Sequence, residues 1–130
     1  MKAEKKSAIS LTTPDDPGTL GRVFSKLAGA GINVLALKAW SEEGKGQFHL
    51  VTENNDKAVE LLKEDGFEPE TDEVVVVMAD NKAGAAWAIG KKLGDAGVNI
   101  CHAFATSGVG GKGMLVLSTE DNDKAVAALS

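Results

Sequence analysis

Cys101 and His102 stand side by side, the single thiol of the chain next to one of its two imidazoles. Such a pair could ligate a metal or set a nucleophile beside its base. Their adjacency argues against both, because neighbouring strand residues point to opposite faces. His49 belongs to a different strand, and no third residue that would orient a base can be identified. Neither a catalytic residue nor a metal site is expected, and no cofactor. Gly108-Val109-Gly110-Gly111-Lys112-Gly113 has the letters of a dinucleotide fingerprint. It lies between two expected strands with no helix after it to receive a pyrophosphate, so a flexible hairpin loop is expected. Lys112 is followed by Gly113, not by Ser or Thr, which also sets aside a P-loop. Glu42-Glu43 and the acidic run from Glu64 to Glu73 read as a solvated turn and a linker. Arg22 is the one arginine and falls inside an expected helix, which leaves no arginine cradle for phosphate.

The elements that must position these residues belong to a chain of 130 residues, long enough for one ordinary domain or two very small ones. With 43% hydrophobic and 25% charged residues it has the composition of a soluble globular protein. Fourteen basic against nineteen acidic residues give a net charge of −5, which repels phosphate. Four Phe, two Trp and no Tyr supply little to stack on bases, so nucleic acid is not an expected partner. No apolar run approaches the roughly eighteen residues of a membrane span. The N-terminal segment is too polar for a signal peptide. A lone cysteine rules out a disulfide framework. A cytoplasmic protein is expected.

Internal similarity is the strongest signal in the sequence. Ala30-Gly31-Ile32-Asn33-Val34 returns as Ala96-Gly97-Val98-Asn99-Ile100. Thr52-Glu53-Asn54-Asn55-Asp56-Lys57-Ala58-Val59 returns as Thr119-Glu120-Asp121-Asn122-Asp123-Lys124-Ala125-Val126. Between them Gly18 matches Gly84, Val23 matches Ile89 and Leu27 matches Leu93. The chain is a tandem duplication with a period of about 66 residues, and the copies are expected at residues 1–72 and 73–130.

In the first copy Ile9 and Leu11 alternate with polar neighbours as in a half-buried strand. Asp16 is expected as the N-cap of a helix and Pro17 as its first residue. Leu20, Val23, Phe24 and Leu27 follow at helical spacing, and Gly31 sits at the left-handed C-terminal cap. Strands are predicted over 33–41 and 46–52, joined by the turn Glu42-Glu43-Gly44-Lys45. Asn54 or Asn55 caps a second helix with Ala58, Leu61 and Leu62 buried, ending at Gly66, and a short extended piece covers Phe67 to Thr71. The second copy predicts a strand at Val74–Met78, a helix at 84–96, strands near 98–106 and 113–119, and a helix from Asp123. The fold class is α+β: two ferredoxin-like β-α-β-β-α-β modules in tandem, with antiparallel sheets and helices on one face. The second module lacks its last strand, so either that strand has been trimmed away or another segment or chain covers the edge.

Val74-Val75-Val76-Val77-Met78 is continuously apolar, which predicts cover on both faces. Gly21 and Phe24 of the first copy become Trp87 and Gly90 of the second. Trp87 is expected either to fill a space that the glycines leave between the copies or to cap its own core.

Asp15-Asp16-Pro17-Gly18-Thr19-Leu20, then a helix, then Ala30-Gly31-Ile32-Asn33-Val34, resembles the signature of ACT domains, small regulatory modules that bind amino acids. Asp56-Lys57-Ala58 and Asp123-Lys124-Ala125 are similar to the second-helix starts of stand-alone tandem ACT proteins. The resemblance covers nearly the whole chain and leaves no catalytic domain over. It implies a ligand between the first strand and first helix, where two modules meet. In that role Asp15 pairs with an ammonium group, and the helix start at Asp16 to Leu20 favours a carboxylate. Gly18 admits the ligand to the backbone, and Asn33 offers both a donor and an acceptor. The second copy has Asn81-Lys82-Ala83-Gly84-Ala85-Ala86 at the same place, so Asn81, Gly84 and Asn99 are the weaker counterparts. The resemblance implies a non-catalytic amino-acid sensor acting by allosteric linkage. Homodimerisation is expected from the all-apolar Val74–Met78 strand and the absent last strand of the second copy. The alternative is a ligand-free subunit docking on an enzyme of amino-acid metabolism. Other users of the fold fit less well, since an RNA-binding sheet needs aromatic residues on a basic surface and a copper chaperone needs a Cys-x-x-Cys loop.

Overall fold

A computed structural model describes residues 1–107 and 111–130. In chain order the elements are β1 (Lys2–Pro14), α1 (Thr19–Gly29), β2 (Val34–Glu42), β3 (Lys45–Thr52), α2 (Asn55–Glu64), β4 (Glu70–Asp80), α3 (Ala85–Asp95), β5 (Ile100–Ser107), β6 (Lys112–Thr119) and α4 (Asn122–Leu129). Gly108, Val109 and Gly110 of the expected glycine-rich hairpin loop lie outside the described residues. The chain divides into two compact units. The leading unit is Ser7–Asp72, and the trailing unit joins Met1–Lys6 to Glu73–Ser130. The pieces expected at 67–71 and 74–78 are joined, for β4 runs without a break from Glu70 to Asp80. Pro69 precedes it and no Gly or Pro interrupts it, so nothing ends pairing at the expected boundary.

In the leading unit the strand order is β2-β3-β1-β4, with Glu70–Asp72 supplying the last strand. Ile9 lies opposite Leu50 and Leu11 opposite Phe48 in the antiparallel β1–β3 ladder. These four side chains form one face and pack with Val23 and Leu27 of α1 and Ala58 and Leu62 of α2. Burying a side chain of this size stabilises by about 1.5–3 kcal/mol. Leu20 and Phe24 fit that stripe less well than their spacing predicts, Leu20 being exposed and Phe24 half-buried. β2 and β3 are joined by a two-residue turn with Glu43 at φ 51° and Gly44 at φ 75°, the geometry that suits the twist of a hairpin. α1 closes in a Schellman motif: the Ile32 N–H donates to the Leu27 carbonyl at 3.0 Å and the Gly31 N–H to that of Ala28 at 2.9 Å.

In the trailing unit the order is β1-β4-β6-β5. The edge beside β4, held in the leading unit by Glu70–Asp72 beside β1, is formed here by Lys2–Lys6. Ala3 packs on a core of Val75, Val77, Ile89, Leu93, Leu117, Ala125 and Leu129. Lys5 Nζ lies 2.6 Å from Asp123 and 3.8 Å from Glu73. The hydrogen bond to Asp123, then its charge and that of Glu73, hold the ammonium above its ordinary pKa. Val74, Val75, Val76 and Val77 are all buried, so both faces of β4 are covered, as the unbroken apolar run predicts. Trp87 is 70% exposed and is no cap over its own core, which Ile89 and Leu93 fill from the other side of α3. None of the helices among the described residues is long and apolar enough to cross a membrane.

Candidate functional site

β1 ends at Pro14, and the chain turns into α1 through Asp16-Pro17-Gly18-Thr19. The Thr19 N–H donates to the Asp16 carbonyl at 3.4 Å, and Gly18 stands at φ 87°, ψ −8°. This is a type II turn, with proline second and a positive φ third. Asp16 is therefore not the N-cap and Pro17 is not the first helical residue. Gly18 caps α1, because only the third turn position takes the left-handed conformation. The Thr19 hydroxyl adds a bond to the same carbonyl at 3.1 Å. Gly18 brings no side chain to the cap, so the N–H groups of Leu20 and Gly21 meet no capping side chain.

The β2–β3 hairpin stands beside this turn, because Thr13 lies opposite Gly46 and Pro14 opposite Lys45. The Ser41 hydroxyl donates to Asp15 Oδ2 at 2.5 Å and fixes that carboxylate at the rim. Thr12 donates to Gln47 Oε1 at 2.8 Å. The Trp40 indole donates to Glu42 at 3.3 Å, and the Lys38 ammonium lies 4.6 Å from the Trp40 ring centre. Between turn and hairpin is a cleft of about 270 Å³, lined by Asp15, Asp16, Gly18, Thr19 and Leu20 on one side and by Trp40, Ser41, Gln47 and Phe48 on the other. Gly46 belongs to its floor, where a Cβ would stand 2.7 Å from the Thr13 hydroxyl.

The trailing unit repeats the turn with other side chains. The Ala85 N–H donates to the Lys82 carbonyl at 3.2 Å, and Gly84 stands at φ 88° as the cap of α3. The Asn81 N–H donates to the Gly111 carbonyl at 2.8 Å. The corresponding cleft is about 230 Å³. At its rim Lys112 Nζ lies 2.6 Å from Asp80, and that hydrogen bond holds the Asp80 carboxyl below its ordinary pKa.

The structure thus brings Asp15, Asp16, Gly18, Thr19 and Leu20 together, with Pro17 in the same turn. It sets Asn81 and Gly84 at the matching turn. It does not bring Asn33 or Asn99 to them. Asn33 precedes β2, where its carbonyl accepts the Glu53 N–H at 3.0 Å. Asn99 precedes β5, its carbonyl accepting the Glu120 N–H at 3.1 Å and its amide donating to the Glu120 carboxylate at 3.3 Å. The eleven residues of α1, about 16 Å of helix, separate Asn33 from the turn. Trp40, Ser41, Gln47 and Phe48 were not singled out by sequence. The signal for them was the Glu42–Lys45 turn, which ends the hairpin beside the end of β1.

A second group of polar side chains lies elsewhere in the leading unit. Ser10 donates to Asp72 at 2.6 Å and stands 3.4 Å from His49 Nε2. The carboxylate accepts from the serine hydroxyl, whereas a hydrolytic triad places it on the imidazole to orient the base. Cys101 is a free, exposed thiol, and the described residues contain no group of three or more metal-ligating side chains.

A family model described as the ACT domain pair matches residues 6–129. The chain belongs to the ACT domain pair family. Its ACT fold is shared with protein BT0572 from Bacteroides thetaiotaomicron, at a TM-score of 0.89 and 24% identity over 98% of this chain and 88% of that one. It is shared also with the ligand-free regulatory subunit of aspartate kinase from Thermus thermophilus, at a TM-score of 0.69 and 18% identity, covering 99% and 95% of the two chains. The corresponding subunit from Thermus flavus gives 0.64 at 19% identity, again over 99% and 95%. At these identities the likeness is one of fold. No curated protein sequence matches the chain. ACT domains are regulatory, amino-acid-binding modules, and both ACT units here present a cleft between first strand, first helix and hairpin.

Proposed function

We propose that this protein is a non-catalytic sensor that binds a free amino acid in the leading cleft. The observation that carries the reading is the pairing, within one cleft, of a fixed carboxylate with an uncapped helix start. Asp15, held by Ser41, faces a ligand ammonium. The N–H groups of Leu20 and Gly21 face its carboxylate, a contact that contributes about 0.3–1 kcal/mol at an exposed helix end. Leu20 and Phe48 line the space left for a side chain. A volume of about 270 Å³ is just under the roughly 300 Å³ at which pockets for drug-sized ligands begin, so a small ligand suits it. An amino acid in such an open site binds with micromolar to millimolar affinity. Binding one arrangement of the protein better than another then shifts the population toward it. A homodimer whose subunits adjust on binding is the assembly that suits this linkage.

Thermal-shift measurements and calorimetry against the twenty amino acids test the reading. One of them stabilises the protein saturably, and Asp15→Asn weakens its binding by about tenfold or more, the loss of a charge-assisted contact. Silence across the whole panel, together with co-purification of an enzyme of amino-acid metabolism, would replace it with a docking subunit.

A further inference from the structure

The two clefts hold corresponding places in the repeat but opposite chemistry. Asp15 and Asp16 of the leading turn are Asn81 and Lys82 in the trailing one, so two carboxylates become an amide and an ammonium. Thr13, Thr19 and Gln47 become Ala79, Ala85 and Met114, all of them lining residues. The one carboxylate lining the trailing cleft, Asp80, is matched by Lys112 at 2.6 Å. Among the described residues Lys82 stands within 4.0 Å of no carboxylate, and its charge adds to that of Lys112 in lowering the Asp80 pKa. A ligand ammonium would therefore find no open carboxylate here and would face the Lys82 charge. A ligand carboxylate would find that charge and the start of α3, where Gly84 brings no side chain to the cap. Apart from Asn81 and Thr106 the remaining lining is apolar, with Val77, Ala86, Ile89 and Leu115 among it.

We infer that the trailing cleft binds a short aliphatic carboxylate that carries no ammonium group, its carboxylate at Lys82 and its tail against Ile89 and Leu115. This rests on the reading of these clefts as ligand sites. The protein would then report on an amino acid and on a deaminated, apolar acid through two different clefts of one chain.

Calorimetry on the full chain, with 4-methyl-2-oxopentanoate and each of the twenty amino acids as probes, tests this in the wild type, Lys82→Glu and Asp15→Asn proteins. The oxo acid is expected to bind at one site per chain, weakened about tenfold or more by Lys82→Glu and unchanged by Asp15→Asn. Ala86→Phe, which fills the cleft from the exposed start of α3, is expected to abolish its binding, with the fold checked by circular dichroism. No binding of the oxo acid overturns the inference, as does binding that Asp15→Asn weakens while Lys82→Glu and Ala86→Phe leave it intact. Oxo-acid silence beside amino-acid binding that depends on Asp15 removes this inference alone. Amino-acid silence beside oxo-acid binding that depends on Lys82 removes only the reading of the leading cleft.

Discussion

Gly18 and Gly84 stand within a degree of each other in φ, at 87° and 88°, although the residues around them have diverged. No atom lies within 4 Å of where a Cβ would sit at either position. What glycine supplies there is therefore its backbone freedom, and room for a ligand follows from it. Gly18→Ala is expected to destabilise the protein by about 1–2 kcal/mol, the cost of holding an L-residue in the left-handed region. Urea denaturation measures it, and an unchanged midpoint would mean that the turn relaxes to another type. His49 gives a second prediction at this scale. Burial holds its imidazole below the ordinary value near 6.5, Asp72 pulling it up less strongly and Lys38 adding to the depression. As pH falls the unfolded chain takes up this proton before the folded one. The contribution to stability is thus complete above about pH 6.5 and declines as pH drops through that value toward the folded pKa. In His49→Gln, denaturation midpoints compared at neutral and mildly acidic pH should show a smaller fall than in the wild type.

The start of each second helix is tied down by an asparagine that reaches two ways. Asn55 Oδ1 accepts from the N–H and hydroxyl of Thr52 at 3.0 and 2.7 Å, while its amide donates to the Ser7 carbonyl at 2.8 Å. Asn122 does the same between Thr119 and the Glu73 carbonyl. Asn55→Ala takes the acceptor away from the Thr52 N–H and hydroxyl, although the hydroxyl oxygen still accepts from the Asn54 N–H, and is expected to cost about 1–3 kcal/mol. Asn54→Ala, which loses only the cap bond to Lys57, should cost about 1 kcal/mol. Denaturation of the two variants checks the order. Elements of this kind were legible in the sequence because each copy repeats the other's turn residues and apolar spacing. The cleft was half legible. Asp16-Pro17-Gly18-Thr19 suits both a capped helix start and a type II turn, since proline has the same φ in either, and only the positive φ of Gly18 separates them. Trp40, Ser41, Gln47 and Phe48 reach the cleft through strand register, which no local pattern displays. The strand Lys2–Lys6 escaped notice for a simpler reason: Ala3 is its one apolar residue, so it carries no alternation to read.

At the scale of the whole molecule, the chain's first residues complete the unit made by its last ones. Lys5 ties β1 to Glu73 and to Asp123 at the start of α4, and Ala3 joins the trailing core. Removing residues 1–6 is expected to lower hydrogen-exchange protection in Val74–Met78 and Met114–Leu117 while leaving Phe48–Thr52 of the leading unit protected. Equal loss in both would mean that the units unfold as one. Two clefts of opposite chemistry also suit a regulator whose populations answer to more than one metabolite, since each ligand shifts the equilibrium by its own difference in affinity. The claim on which this depends is that the Asp15–Leu20 turn holds the ligand. Amide chemical-shift mapping, with the amino acid that stabilises the protein most, tests it at single-residue resolution. The largest shifts are predicted at Gly18, Leu20 and Gly21, and they should vanish in Asp15→Asn. Shifts confined to Asn33, Val34 and Glu53, with the turn unmoved, would contradict it.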